Sequence, residues 1–265
     1  MNSIGHLGFQ PAYAISGLLV GLLVGMTGVG GGSLMTPLLV LFFGIHPTTA
    51  VGTDLLFAAA TKSVGTTIHS AGKTVDWMIV RRLAAGSVPA TIVCLGAMAY
   101  AGAASHAVTD LISIVLGVSL LLSAISLLFK EQILHFITRH YPEFGMTSST
   151  RLTVLTGVVL GVLVCLSSVG AGALGTIALI ILYPRQPMVR IVGSDIAHAV
   201  PLTLLAGAGH WLLGTIDFPL LGMLLVGSIP GIIIGSFTAR YAPDKLLKAC
   251  LGIILAVVGF RMLAK

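Results

Sequence analysis

The sequence reads Gly25-Met26-Thr27-Gly28-Val29-Gly30-Gly31-Gly32-Ser33-Leu34-Met35-Thr36-Pro37 in the middle of a long apolar region. Each glycine inside a helix costs roughly 1 kcal/mol relative to alanine. The glycines between Gly28 and Gly32 therefore predict that a helix breaks here. Backbone that is not helical survives at membrane depth only where protein or a water-filled cavity surrounds it. The chain is therefore expected to enclose this break.

The composition indicates a membrane protein. The chain has 265 residues, of which 56% are hydrophobic and 8% are charged, whereas soluble proteins carry about 25% charged residues. Apolar runs of around 20 residues recur along the whole length, which predicts several transmembrane helices. The formal net charge is +6, but the basic residues stand between apolar segments, as the positive-inside rule requires. This placement argues against nucleic acid as a partner.

The apolar region around the glycines is too long for one crossing. Residues 12–45 would extend about 51 Å as a continuous helix, at 1.5 Å per residue, and two full crossings would need more chain. We therefore predict a re-entrant hairpin of two half-length helices that meet at the glycines. Residues 152–183 have a similar length and contain Ser167-Ser168-Val169-Gly170-Ala171-Gly172-Ala173-Leu174, so they predict a second hairpin.

Three further helices follow each hairpin, which makes the predicted fold an all-α polytopic membrane protein. In the N-terminal repeat, residues 1–129, the predicted helices span residues 47–72, 75–100 and 108–129. In the C-terminal repeat, residues 152–265, they span residues 187–213, 216–239 and 243–263. Residues 130–151 join the repeats and hold Lys130, Arg139 and Arg151, so we predict a cytoplasmic connector.

Two motifs recur at almost the same offset. Val51-Gly52-Thr53-Asp54 matches Val192-Gly193-Ser194-Asp195, at 195 − 54 = 141. The same offset relates His69 to His210, Thr74 to Thr215 and Asp76 to Asp217, and the glycine stretches align at 140. The helix with Asp54 ends at Lys73, whereas the helix with Asp195 follows Arg190, so the charges predict opposite orientations. Two inverted repeats with interrupted helices are a recurrent design of secondary transporters.

The interrupted helices suggest a site for an anion. The first amide groups of a half-helix have no intrahelical partner, and the helix dipole adds about half a positive charge at the same point. A tight contact between helices through small residues is the alternative. The candidate substrate-binding positions are Gly30, Gly31, Gly32, Ser33 and Thr36 in the first stretch and Gly170, Ala171, Gly172 and Ala173 in the second.

Four polar residues inside apolar helices are further candidates. A charge near the bilayer centre costs roughly 2.5–3.5 kcal/mol, so Asp54 and Asp195 could cap the broken backbone, carry protons for coupling, or contact substrate or a cation. Lys62 lies two turns beyond Asp54 and would bind an anionic substrate, unless it snorkels or pairs with Asp54. His198, one turn after Asp195, would relay protons or donate a hydrogen bond.

The other repeated polar residues have simpler interpretations. His69 and His210 fall near predicted helix ends, where an interfacial role is expected. Asp76 and Asp217 begin helices, so we expect them to be N-caps.

The glycine motif Gly28 to Pro37 and Val51-Gly52-Thr53-Asp54 resemble the sulfite exporter TauE/SafE family over nearly the whole chain. The resemblance implies an eight-segment, multi-pass permease of the bacterial inner membrane, in a family linked to export of sulfite or organosulfonates. The second copy departs from the pattern, because Ala171 and Ala173 replace Gly and Ser and Ile177 replaces Pro.

The expected function is a secondary transporter that exports a small anion, namely sulfite, an organosulfonate or a related oxyanion or carboxylate, coupled to protons. The expected partners are this solute and the lipid bilayer, and a homo-oligomer is left open. We expect neither an enzyme nor a cofactor or metal, and the sequence contains no Walker A motif. A passive anion channel is the alternative; an intramembrane protease with Asp54 and Asp195 as its dyad is a more distant one.

Overall fold

The computed structural model describes residues 11–27, 32–71, 74–129, 132, 146–238 and 244–264. Every regular element within these residues is a helix. The elements are α1 (Pro11–Thr27), α2 (Gly32–Leu41), α3 (Pro47–Ala71), α4 (Trp77–Ala101), α5 (His106–Leu128), α6 (Met146–Ser167), α7 (Ala173–Leu182), α8 (Met188–Leu212), α9 (Phe218–Thr238) and α10 (Asp244–Leu263).

Five of these helices are long and apolar enough to cross a membrane. They are α4, α5, residues Thr150–Ser167 of α6, α8, and residues Phe218–Gly235 of α9. Helix α3 has 25 residues, as many as α4 and α8, but it contains Asp54 and Lys62. The prediction of an all-helical, polytopic membrane protein is confirmed.

Helices α6 and α7 flank a break at residues 168–172, as predicted, whereas residues 28–31 of the first glycine stretch lie outside the described part of the structure. Helices α2 and α7 have 10 residues each, about 15 Å. Helix α6 has 22 residues, about 33 Å, and begins at Met146 rather than at residue 152. The second helix of each pair therefore has the predicted half length, and α1 has 17 residues, whereas α6 is longer than a half-length helix.

Glycines make close packing between helices possible. Helix α1 packs on α9, and α6 packs on α4. A Cβ atom at Gly17 would collide with the carbonyl oxygen of Leu224, and one at Gly157 with that of Leu83. These glycines are equivalent, since 157 − 17 = 140. Small residues let transmembrane helices approach to backbone contact, which accounts for the close packing along these two crossings.

The helices that carry the buried aspartates lie together. Helix α3 packs on α8, while each short helix packs on the aspartate helix of its own half, α2 on α3 and α7 on α8. Helix α8 is the most buried of the five candidate spans, with 61% of its apolar window inside the bundle. The contacts of one half thus have counterparts in the other, while the inversion of the halves across a membrane stays a prediction.

Candidate functional site

Each buried aspartate holds one of the short helices. Asp54 is fully buried and accepts hydrogen bonds from the backbone N–H of Thr36, at 3.2 Å, and from the Thr36 hydroxyl group. Asp195 is 1% exposed and accepts a hydrogen bond of 2.9 Å from the hydroxyl group of Thr176. Both threonines lie near the N-terminal end of a short helix, and 176 − 36 = 140. These are the contacts expected if the carboxyl groups cap the broken backbone.

One oxygen of each carboxyl group has no hydrogen-bond partner. The Oδ1 atoms of Asp54 and Asp195 are buried and unpaired among the described residues. A Cβ atom at position 175 would collide with Asp195 Oδ1, so Gly175 lets this carboxyl group lie against the backbone of α7. A buried polar atom without a partner costs about 1–3 kcal/mol. Both oxygens are therefore available to a proton, a water molecule or a ligand.

Lys62 links the first half to the second break. Its side chain is only 4% exposed, and Nζ donates a hydrogen bond of 3.0 Å to the carbonyl oxygen of Ala171. The ammonium group also lies within electrostatic range of Asp54 and Asp195. Snorkelling is excluded because the side chain is buried. The structure therefore brings together Lys62, both aspartates and the predicted second break.

The second break runs from Ser168 to Gly172, and its backbone is unusual. Gly170 and Gly172 both have φ 130°, and Ser168 has φ 57°. Ser168 is buried, and its hydroxyl group faces the Asp54 carboxyl group without meeting hydrogen-bond geometry. Ser168 was not among the predicted site residues. The sequence signal that could have identified Ser168 is its equivalence to Gly28 in the first glycine stretch, at 168 − 28 = 140.

The two buried histidines make specific hydrogen bonds. His198 Nε2 lies 2.8 Å from Ser87 Oγ on α4, whereas His198 Nδ1 has no partner among the described residues. The hydrogen-bonding role predicted as one alternative for His198 is therefore present.

His210 lies near the C-terminal end of α8, as predicted, and its interfacial role stays a prediction. Its ring is fully buried between Thr215 Oγ1, at 2.9 Å from Nδ1, and the carbonyl oxygen of Cys165, at 3.0 Å from Nε2. Cys165 lies in the last turn of α6, where carbonyl groups lack helical partners. His210 thus closes the end of α6 just before the break. The side chain of His69, the equivalent residue, lies outside the described part of the structure.

The predicted N-caps are confirmed, and they connect the halves. Asp76 accepts a hydrogen bond of 3.0 Å from the N–H of Met78, and Asp217 accepts one of 2.9 Å from that of Leu220.

The backbone N–H groups of the two caps reach across to the opposite half. Asp76 N–H donates to Ser194 Oγ at 2.8 Å, and Asp217 N–H donates to Thr53 Oγ1 at 3.1 Å. Sequence reasoning aligned Thr53 with Ser194 but missed this exchange of contacts, because the offset relates the residues without pairing them in space.

The remaining predicted positions are described only in part. Gly30 and Gly31 lie outside the described residues, and the side chain of Ser33 does also. Gly32 is the first residue of α2, and Ala173 is the first residue of α7. Binding of substrate at these positions stays a prediction.

The bundle of apolar helices, with a described interruption at residues 168–172 beside the buried residues Asp54, Lys62 and Asp195, is typical of a polytopic secondary transporter. The family model described as sulfite exporter TauE/SafE matches residues 13–262, and the chain belongs to this family of membrane transporters. The resemblance found in the motifs is thereby confirmed.

Curated relatives cover almost the whole chain. The probable membrane transporter protein YjnA of Bacillus subtilis (strain 168) is 40% identical over 94% of this chain and 98% of its own length. The probable membrane transporter protein YdhB of the same organism is 27% identical over 92% and 96%. A probable membrane transporter protein of Xylella fastidiosa (strain 9a5c) is 26% identical over 92% and 91%. No solved structure matches the chain significantly.

Proposed function

We propose that the protein exports a small anion, such as sulfite, an organosulfonate or a related oxyanion or carboxylate, across the bacterial inner membrane. It acts as a secondary transporter coupled to protons, and it is not an enzyme. The anion binds at the glycine-rich interruptions, between Lys62 and the N-terminal ends of α2 and α7.

The buried ammonium group of Lys62 is the observation that supports this proposal most directly. Burial of a charge is expensive unless it is paired, and Lys62 is hydrogen-bonded to a neutral carbonyl group at the second break. An arriving anion would find a desolvated cation there, in addition to the positive end of a helix dipole. Electrostatic attraction is much stronger in such surroundings than in water.

Asp54 and Asp195 would couple this binding to protons. An ionised carboxyl group close to a bound anion repels it, whereas a neutral carboxyl group does not. Anion binding and protonation therefore favour each other, and each aspartate retains one oxygen without a hydrogen bond among the described residues. Because the carboxyl groups also hold α2 and α7, protonation would weaken the contacts of the short helices.

The test is anion flux in proteoliposomes of the full chain, with and without a pH gradient. We expect the gradient to drive sulfite or isethionate to a higher concentration on one side, and the double variant Asp54→Asn, Asp195→Asn to lose this dependence. Asn keeps a carbonyl acceptor for Thr36 and Thr176, so the short helices stay attached. Flux that never exceeds equilibration would instead identify a passive channel. Gradient-driven flux that persists in the double variant would remove the coupling role.

A further inference from the structure

Ser168 has a backbone conformation that serine rarely adopts. Its φ of 57° makes it the one non-glycine residue with positive φ among the residues that the structure describes. This region is unfavourable for any residue with a Cβ atom, and glycine would occupy it without that cost. The equivalent residue in the first stretch is Gly28. Such strain persists where the surroundings enforce it, and it concentrates at functional sites.

The hydroxyl group of Ser168 does not stabilise the break. The residue is 1% exposed, its N–H donates to the carbonyl oxygen of Val164 at 2.8 Å, and its Oγ atom has no hydrogen-bond partner among the described residues. The neighbouring Ser167 differs in this respect. Its Oγ atom donates to the carbonyl oxygen of Leu163 at 2.6 Å and accepts from the N–H of Val169 at 3.2 Å. Ser167 therefore holds the turn, and the Ser168 hydroxyl group is free for a ligand.

The surroundings of this hydroxyl group indicate the chemistry of the ligand. It faces the carboxyl group of Asp54, whose Oδ1 atom is also unpaired. Lys62 approaches the same break three residues later, at the carbonyl oxygen of Ala171. A hydroxyl donor, a carboxyl group and an ammonium group thus converge on one buried turn. When the carboxyl group is protonated, all three groups can donate hydrogen bonds to an oxyanion.

We propose that Ser168 contacts the transported anion, with its hydroxyl group donating to one oxygen while the protonated carboxyl group of Asp54 donates to another. This assignment rests on the proposed function and names Asp54 as the carboxyl group whose protonation is coupled to anion binding. An anion bound at Ser168 would also lie beside Asp54, and an ionised carboxylate there would repel it. Protonation of Asp54 therefore favours anion binding at this position.

The test compares Ser168→Gly and Ser168→Ala in the full chain. Glycine removes the hydroxyl group and the strain, whereas alanine removes only the hydroxyl group. We expect both variants to raise the KM for sulfite or isethionate in proteoliposomes about tenfold or more, the usual effect of losing a hydrogen bond to a charged group. Ser168→Gly should melt no lower than the wild type and above Ser168→Ala. Ser228→Ala, which removes another buried hydroxyl group on α9, should leave the KM unchanged.

The opposite effects on melting temperature and KM separate a ligand contact from a structural role. A Ser168→Gly variant that transports like the wild type would overturn the assignment and leave the proposed function intact. A loss of transport accompanied by a lower melting temperature would also overturn it, because Ser168 would then be structural. A wild-type protein that moves neither sulfite nor isethionate would overturn the proposed function and this assignment together.

Discussion

The two short helices, α2 and α7, are bound to the rest of the bundle in the same way at their N-terminal ends and differently at their C-terminal ends. At the break, Asp54 and Asp195 accept hydrogen bonds from Thr36 and Thr176, which are equivalent residues.

The far ends of the short helices use unlike chemistry. After α2, the rings of Tyr13 and Phe43 lie 4.7 Å apart. After α7, the equivalent residues Thr153 and Tyr183 are hydrogen-bonded at 2.8 Å, and Arg82 donates to the Tyr183 hydroxyl group at 3.1 Å. One end is apolar, and the other is polar and charged.

The same contrast continues along the aspartate helices. Four polar residues have a smaller or apolar equivalent in the other half, at the offsets of 140 or 141. The pairs are Lys62 with Thr203, His198 with Phe57, Ser168 with Gly28, and Arg82 with Met223. The repeated residues thus build the bundle, whereas Lys62 and Ser168, which are not repeated, lie at the second break. We therefore expect the chemistry of this transporter at the positions where the two halves differ.

The largest effect should come from a repeated residue. A Cβ atom at Gly227 on α9 would collide with the carbonyl oxygen of Ala14 on α1. Gly227→Leu should force these helices apart and lower the free energy of unfolding by about 3 kcal/mol, and Gly86→Leu should do the same to α4 and α6. The measurement is thermal unfolding of the purified protein in detergent.

Gly222 on α9 and Gly96 on α4 are matched controls, because a Cβ atom at either position meets nothing within 4 Å. Leucine there should leave the melting temperature nearly unchanged. If all four variants melted alike, the glycine crossings would not be what holds the halves together.

An intermediate effect should come from Lys62. Lys62→Met removes the ammonium group but keeps most of the volume of the side chain. We expect the kcat/KM for sulfite to fall tenfold to about a hundredfold, as for the loss of a charge-assisted contact. This fall in kcat/KM is measured as sulfite flux in proteoliposomes.

The equivalent residue supplies the control for Lys62. The Thr203 hydroxyl group bonds within its own helix, to the carbonyl oxygen of Ala199 at 2.8 Å, so Thr203→Val should transport normally. Equal losses in the two variants would contradict the idea that the unrepeated residue supplies the chemistry.

The smallest effect should come from the far end of α7. Arg82→Met places the equivalent residue of the second half, Met223, at this position and removes one hydrogen bond to Tyr183. We expect a loss of about 1 kcal/mol in the free energy of unfolding and little change in KM. A large change in KM would mean that Arg82 handles substrate itself.

Hydropathy and glycine placement were sufficient to predict the helical membrane fold and the interruption at residues 168–172. The predicted caps at Asp76 and Asp217 were also correct, since capping depends on a few neighbouring residues. The length of α6 exceeded the predicted half length, and its glycine contacts are with α4, which lies far from it in the sequence. The burial of His210 was missed because its partner Cys165 lies 45 residues away in the sequence.

By itself, the sequence determined that this protein resides in a membrane, that it has two related halves, and that each half has one buried aspartate. These properties follow from local composition and from an offset that can be read along the chain. Only the tertiary structure decided that Lys62 of one half reaches the break of the other and that Ser168 faces Asp54. Such contacts depend on how separate helices pack, because packing brings together residues more than a hundred positions apart.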